Sequence, residues 1–485
     1  MNRRHFLSRQ GAACLAGMSI PLAGFGLAEA GCDGEQGRKA AGLLEQIEQM
    51  PNFCSHEHWG SIAALGTAPE QNGYRADVIA GAGPQRPVSV WDLVLDPYAA
   101  SWMRSAGRDM QPLLKEKGHA DLLSYWKAAK TPALRDFEKM VRPLVLTGVF
   151  QCTRRGIEKL HGADLITFST EQWTRADESI AHQYNSIFEG YTRAMQRLHF
   201  SELIRPVHPE FYVKEISAEA RREEAAFTHT VMRIDPFLDL WDEKSPRLSA
   251  LADMVNEMPG DAAGFRLFLR KWFDQAAAKD AVGIKQLQAY RRSFNFEIRS
   301  DATVKFRGKL DENEIAVFQD WIMHECCKLA DERGWVHQVH VGTHNLGGST
   351  PLPLEDLSKR YGKMKIVMIH CWPFLEEAGW LAKMRPNMYI DTCWLPVLNP
   401  AYFDRALQGW LGYVPTHKLM LAHDCTHIEM AAGSSLYTRE MLAVRLAGLQ
   451  QQAYLPKGFV LQEAAAMLHN NAVEVYKKGE YYNIG

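Results

Sequence analysis

His56 and His58 stand one residue apart in the run Phe-Cys-Ser-His-Glu-His-Trp-Gly over residues 53–60, and imidazole is a common ligand for transition-metal ions. Side chains alternate along a strand, so both rings would face one side and Glu57 the other. One ion at about 2.1 Å from each nitrogen then suits the pair. The motif alone is weak. With 18 histidines in 485 residues, a chance His-x-His arises about 0.7 times in such a chain. Later partners decide the matter, and Lys285, His340, His370 and Asp424 each fall at or beside the end of a short apolar run. All are metal-ligand or proton-transfer types. One histidine at a strand end is usually a satisfied polar group, whereas these four together with His58, at ordered strand ends, form a pattern.

The elements that would carry them have a regular beat. Strands are expected at residues 51–58, 202–207, 227–235, 282–285, 335–341, 365–370, 388–391 and 418–424. Amphipathic helices are expected at 312–333, 354–361, 374–384 and 438–451. Apolar strands alternating with helices indicate parallel strands buried on both faces, and eight of them indicate a (β/α)8 TIM barrel of the α/β class. In such barrels the working residues sit at the C-terminal strand ends, where this series lies. Residues 60–200 are too long for a simple βα loop. Their helix-forming stretches at 121–129, 134–141 and 180–198 predict a large helical insertion after the first strand, over the barrel mouth.

Several segments resemble the amidohydrolase superfamily, in the amidohydrolase-related branch that holds the carboxymuconate-semialdehyde and resorcylate decarboxylases. These are Gly-Ile-Lys at 283–285 with Ala-Tyr-Arg-Arg at 289–292, Gln-Val-His-Val-Gly at 338–342, His-Cys-Trp-Pro-Phe at 370–374 and Asn-Met-Tyr-Ile-Asp at 387–391. They look similar to the amidohydrolase domain found fused to glutamine-synthetase-like proteins. The resemblance covers the barrel from about residue 52 and again from about residue 201 onward. It implies that His56, His58 and Asp424 bind metal, that His340 is a further ligand or bridges to a second metal, and that His370 binds a second metal or contacts the reacting water or carbonyl. Asp424 and His370 are the expected catalytic groups. Lys285 is either carbamylated, bridging two metals, or an ammonium that binds a substrate carboxylate. One or two ions are expected, Zn²⁺ or another divalent metal such as Mn²⁺.

The implied function is that of a metal-dependent hydrolase, in which water made acidic by the metal attacks a C–N or C–O bond of a small, carboxylate-bearing substrate. A non-oxidative decarboxylase and a uronate-type isomerase are the alternatives on the same residues, and a non-catalytic binding protein is a third. Arg291 and Trp372 are candidate substrate contacts. Asp391 on the seventh strand also comes within reach of the mouth, and Trp59 and Trp394 flank strand ends.

Composition narrows the partners. A net charge of −2 and the lack of a basic stripe give no footprint for nucleic acid. The sequence holds no Walker loop, dinucleotide-binding glycine motif or Gly-x-Ser-x-Gly elbow in a suitable context. Residues 1–30 read as a twin-arginine export signal, with Arg3-Arg4 before Phe6-Leu7, a Gly/Ala-rich stretch, and Ala28-x-Ala30 as the cleavage site. Residues 31–485 would then be the mature barrel, periplasmic or secreted, with no stable membrane anchor; an oligomer is left open. The cysteine spacings match neither a disulfide framework nor a zinc knuckle, and the cysteines read as small buried hydrophobes.

Overall fold

Eight parallel strands form one sheet in the order β1 to β8, each paired with its sequence neighbour. The strands are β1 Asn52–Cys54, β2 Phe200–Val207, β3 Thr228–Arg233, β4 Gly283–Gln286, β5 Val336–Val341, β6 Lys365–His370, β7 Met388–Asp391 and β8 Leu419–Met420. The computed structural model describes residues 35–59, 86–213, 218–242 and 244–484. The export segment at residues 1–30 and residues 60–85 of the insertion lie outside them. Among the described residues no helix is long and apolar enough to cross a membrane.

The sheet is an α/β TIM barrel, and its seam closes just past the ends of β1 and β8. There Asp424 N–H donates to the His56 carbonyl and His58 N–H to the Cys425 carbonyl, both at 3.1 Å. Inside, Phe53, Val231, Val336, Val367 and Met420 pack near the lower end against Tyr476 of the C-terminal helix. Above them Gln338 Nε2 donates to the Ser55 carbonyl at 2.8 Å and to Tyr476 Oη at 2.7 Å. The polar groups of the site therefore stand on an apolar floor. A larger apolar layer lies between the outer sheet face and the surrounding helices.

The helix Glu312–Arg333 shows how sequence dictates one of these elements. Asp311 caps its N-terminus in a reciprocal box with Glu314, and Gly334 ends it at φ 62°, a left-handed conformation that glycine adopts without a Cβ penalty. Between β1 and β2 the described residues are helical and build a second apolar core, with Trp91, Trp126, Phe137 and Trp173 at its centre. The predicted helix at 180–198 is two helices, Thr170–Gln183 and Ile187–Leu198. Ser186 caps the second through the Glu189 N–H and so favours the break.

This helical layer is locked to the barrel by close backbone contact. A Cβ on Gly156 would come within 1.6 Å of the Glu429 carbonyl oxygen, and one on Gly433 within 1.8 Å of the Cys152 carbonyl oxygen. The helices Gly148–His161 and Ile428–Gln451 can approach this far only because both contact points are glycine. The second of these helices follows β8, so the contact holds the layer beside Asp424.

Candidate metal centre

The first and last strands deliver the ligand types to one point. His58 Nε2 lies 3.0 Å from Asp424 Oδ1 and His56 Nε2 3.6 Å from the same oxygen. One ligand atom from each residue fits within a 4.8 Å span. All three are buried. His56 Nδ1 is engaged by Gln338 Oε1 at 2.8 Å. That carboxamide oxygen can only accept, so His56 carries its hydrogen on Nδ1 and leaves a lone pair on Nε2. The Nε2 atom is buried and has no hydrogen-bond partner. A buried, unpartnered lone pair aimed at a carboxylate is costly unless a cation lies between them, so the residues fit a divalent ion.

The route by which the histidines reach this point differs from simple alternation. In β1, Phe53 faces the barrel interior and Ser55 Oγ donates inward to Asp391. Strict alternation would thus turn His56 and His58 outward with Cys54. The strand instead ends at Cys54 and bends at Ser55 and His56, which swings both rings into the mouth. A similar correction acts on β6. Val367 and Ile369 face inward, so the next residue should face out. His370 has φ 70°, and this left-handed turn brings its ring back to the centre. Asp424, also left-handed at φ 55°, follows the inward residues Met420 and Ala422 in phase.

His370 completes the cluster. Its Nε2 is 3.5 Å from Asp424 Oδ2 and 3.0 Å from His340 Nδ1. Its Nδ1 donates to the Cys393 carbonyl at 2.9 Å. Burial sets the protonation of the whole group. It lowers His56 and His340 well below the usual histidine range and His58 below it, and brings His370 to about 4. Burial alone would raise Asp424, but the adjoining imidazoles hold it well below the usual carboxylate range. Neutral imidazoles around an ionised carboxylate are the state a cation requires.

The other expected site residues divide. Lys285 is buried and paired in register with Arg233 across β3 and β4. Burial, and then the Arg233 charge, lower its ammonium to about 8. Arg233 reaches His208 Nε2 at 3.2 Å, while Arg247 reaches His208 Nδ1 at 3.2 Å and Glu210 at 2.9 Å. Arg291 is elsewhere: its guanidinium is 68 % exposed and pairs with Asp239 at 2.6 Å. Trp372 is half-buried, stacked on Tyr402 at 4.7 Å. Asp391 lies beneath the ligands, accepting from Ser55, Cys393 N–H and Ala422 N–H, and burial raises it to about 6. His423 turns away to Asn52 and Ser434, and Trp59 packs on Tyr191 and Phe200. The seven described cysteines are free and buried.

Sequence reasoning missed three contributors. Tyr98, from the helix Pro97–Ser105 of the insertion, donates to Asp424 Oδ1 at 3.3 Å. Its ring lies 5.2 Å from Trp394, which also covers His370 at 5.4 Å. Asp96, the cap of that helix, accepts from Thr426 Oγ1 at 2.5 Å and so fixes Tyr98 over the site. Arg233 was the third; a buried arginine at the end of β3 was legible as a charge ending an apolar strand, while Tyr98 left no such signal.

Known proteins share this fold. Glucuronate isomerase from Caulobacter crescentus shares the fold with a TM-score of 0.70 at 15 % identity, over 96 % of this chain and 99 % of that one. Uronate isomerase from Thermotoga maritima gives 0.69 at 14 % identity, over 90 % and 97 %. Protein fluG of Emericella nidulans is 22 % identical over 302 residues, 54 % of this chain and only 33 % of fluG. The amidohydrolase family model matches residues 190–478, which is more than half of the chain and takes in seven of the eight strands together with Lys285, His340, His370 and Asp424. The chain therefore belongs to the amidohydrolase family.

Proposed function

We propose that this chain is an exported metal-dependent hydrolase that cleaves a C–N or C–O bond in a small molecule bearing a carboxylate. The observation that carries the reading is the convergence of His56, His58 and Asp424, with the His56 Nε2 lone pair buried and unpartnered at its centre. These three residues would hold the ion, zinc or another divalent metal such as Mn²⁺. When bound, a divalent ion supplies Lewis acidity, polarising the scissile bond and making water acidic near neutral pH.

The protein's own groups do the rest. Asp424 is the proton acceptor, because its carboxylate is ionised and touches Tyr98, His58 and His370. His370 Nε2 lies on the same side, 3.5 Å from Asp424 Oδ2 and 3.0 Å from His340 Nδ1. Across the mouth, Arg233 and Lys285 present positive charge from β3 and β4, which is the complement of a substrate carboxylate. Trp394 and the helix carrying Tyr98 cover the centre and keep bulk water out. On the export reading of residues 1–30 this chemistry takes place in the periplasm or outside the cell, and a mature N-terminus at Gly31 checks it by intact mass.

The test is metal analysis of purified protein combined with a screen of lactones, N-acyl amino acids, γ-glutamyl amides and aromatic acids. A hydrolase releases an amine, ammonia or an alcohol; release of CO₂ instead would identify a decarboxylase. A second reading, uronate isomerisation, is supported by the two full-length structural neighbours that carry that name and by the Tyr98 hydroxyl poised on Asp424. Conversion of glucuronate to a ketose without uptake of water would select it.

A further inference from the structure

On the far side of the mouth one histidine is held between two guanidinium groups. His208 follows β2 directly, Arg233 is the last residue of β3, and Arg247 lies in the first turn of the helix Pro246–Val255, within the crossover from β3 to β4. Arg233 Nη1 lies 3.2 Å from His208 Nε2, and Arg247 Nη2 lies 3.2 Å from His208 Nδ1. His208 and Arg233 are buried, while the Arg247 side chain is 34 % exposed.

These two contacts cannot both be hydrogen bonds. A guanidinium has N–H groups and no acceptor, so each arginine can only donate. A neutral imidazole accepts at one nitrogen and carries its hydrogen on the other. His208 is neutral, because burial and then the charges of Arg233 and Arg247 push it down to about 2. One of its nitrogens therefore accepts, and at the other an N–H faces an N–H. Two buried donors aimed at one another are costly unless a shared acceptor takes a hydrogen bond from each.

The neighbouring carboxylates decide at which nitrogen this happens. Arg247 Nη2 also donates to Glu210 Oε1 at 2.9 Å, which anchors that group as a fixed donor toward His208 Nδ1. Nδ1 is then the accepting nitrogen, and the hydrogen lies on Nε2, opposite Arg233. There Asp235 engages the Arg233 Nε at 3.4 Å and the Leu287 N–H at 2.5 Å, so Nη1 is left directed at the ring. This end faces the cationic side of the mouth, since Arg233 is in register with Lys285 and the Lys285 charge acts on the same imidazole.

We propose that His208 is a second donor to the substrate carboxylate, its Nε2–H and an Arg233 Nη1–H converging on one carboxylate oxygen. Arg247 is the positioning residue that fixes the ring, and Glu210 holds Arg247. That the anion is the substrate rests on the hydrolase reading above; that the two groups bind an anion does not. An acceptor of two N–H groups beside a guanidinium charge is a carboxylate by preference, and a neutral amide is a poor substitute.

The test titrates acetate, and acetamide as its neutral counterpart, into ¹⁵N-histidine-labelled protein, with His208→Asn used for assignment. Wild type is expected to carry the His208 hydrogen on Nε2, and acetate to shift that resonance where acetamide at equal concentration does not. In Arg233→Met the acetate needed for half the shift rises at least about ten-fold, the worth of one charged hydrogen bond. Arg247→Met moves the Nε2–H to Nδ1–H ratio about ten-fold toward Nδ1–H, and Arg247→Lys restores it. Hydrogen on Nδ1 in wild type, or equal responses to acetate and acetamide, overturns the proposal whether or not the variants fold. The shift persists in His56→Ala with His58→Ala, which separates it from acetate held at the metal centre; its loss there overturns the proposal. Zinc per chain is measured on the same samples. Protein that binds no zinc yet shows the acetate shift upholds the anion site and sinks the metal reading, and zinc-loaded protein in which acetate leaves His208 unmoved does the reverse.

Discussion

The two sides of the barrel mouth solve opposite problems with the same degree of burial. On the seam between β1 and β8, and on β6 one strand further on past β7, burial disfavours the charged form of His56, His58 and His370 around one carboxylate. Across the mouth, on β3 and β4, the groups are Arg233 and Lys285. Burial lowers the lysine to about 8, while guanidinium stays protonated. The comparison teaches that burial selects by residue type. Histidine becomes a ligand or acceptor, lysine becomes titratable, and arginine keeps its charge.

The strongest way to break the comparison is to damage the seam. Asp424→Asn, or His56→Ala with His58→Ala, is expected to weaken zinc binding by at least about 100-fold, since even an outer partner of a ligand is worth 10–100-fold. Turnover should fall in parallel, with zinc content read by elemental analysis after dialysis. Retention of full zinc by either variant would remove the seam's assigned role.

Damage to the opposite side should leave the metal alone. Arg233→Met is expected to raise KM for a carboxylate substrate by about 10–100-fold, the worth of one or two charged hydrogen bonds, with zinc content unchanged. If zinc is lost with Arg233, the two sides are not separable and the division of labour fails.

The lysine sharpens the comparison through pH. Its folded pKa is lowered to about 8 by burial and by Arg233, so its charge is present below pH 8 and lost above. Affinity for an anionic substrate should therefore fall up to about ten-fold between pH 7 and 9, the size expected when one short-range attraction is removed. In Lys285→Arg the fall should vanish, because guanidinium does not titrate there. A pH-independent KM in wild type would contradict the assignment of Lys285 as an ammonium.

The smallest effect concerns a histidine away from the mouth. His337, on the outer face of β5, is lowered to about 3 by burial. Below pH 6.5 the unfolded chain binds a proton that the folded chain refuses, so stability is lost as pH falls from 6.5 toward 3, by up to about 1.4 kcal/mol per pH unit. His337→Leu should flatten that slope in urea titrations at pH 7 and pH 5. An equal slope in the variant would show that burial does not neutralise histidine here, and would weaken the same reading at the seam.

Much of this arrangement was legible in the chain itself. The spans of β6, β7 and the helix Glu312–Arg333 coincide with the expected ones, because continuous apolar runs and a reciprocal cap act within a few residues. The order of His56, His58, His340, His370 and Asp424 at strand ends also followed, since parallel strands bring their C-terminal ends to one face. Other features depended on contacts distant in sequence. Arg291 was a reasonable carboxylate grip from sequence, yet Asp239, 52 residues away, holds it in solvent. Tyr98 reaches Asp424 across 326 residues, through a helix whose placement depends on how the insertion packs.

The sequence by itself determined the elements, their order and the residue types at their ends, because strand and helix periodicity, capping and burial of apolar faces are local properties. Only the tertiary structure decided which ring nitrogens point where. Strict alternation would have turned His56, His58 and His370 away from the centre. The bend after Cys54 and the left-handed turn at His370 reverse that. Such departures are paid for by packing and hydrogen bonds from remote parts of the chain, so no short window of sequence contains their cause.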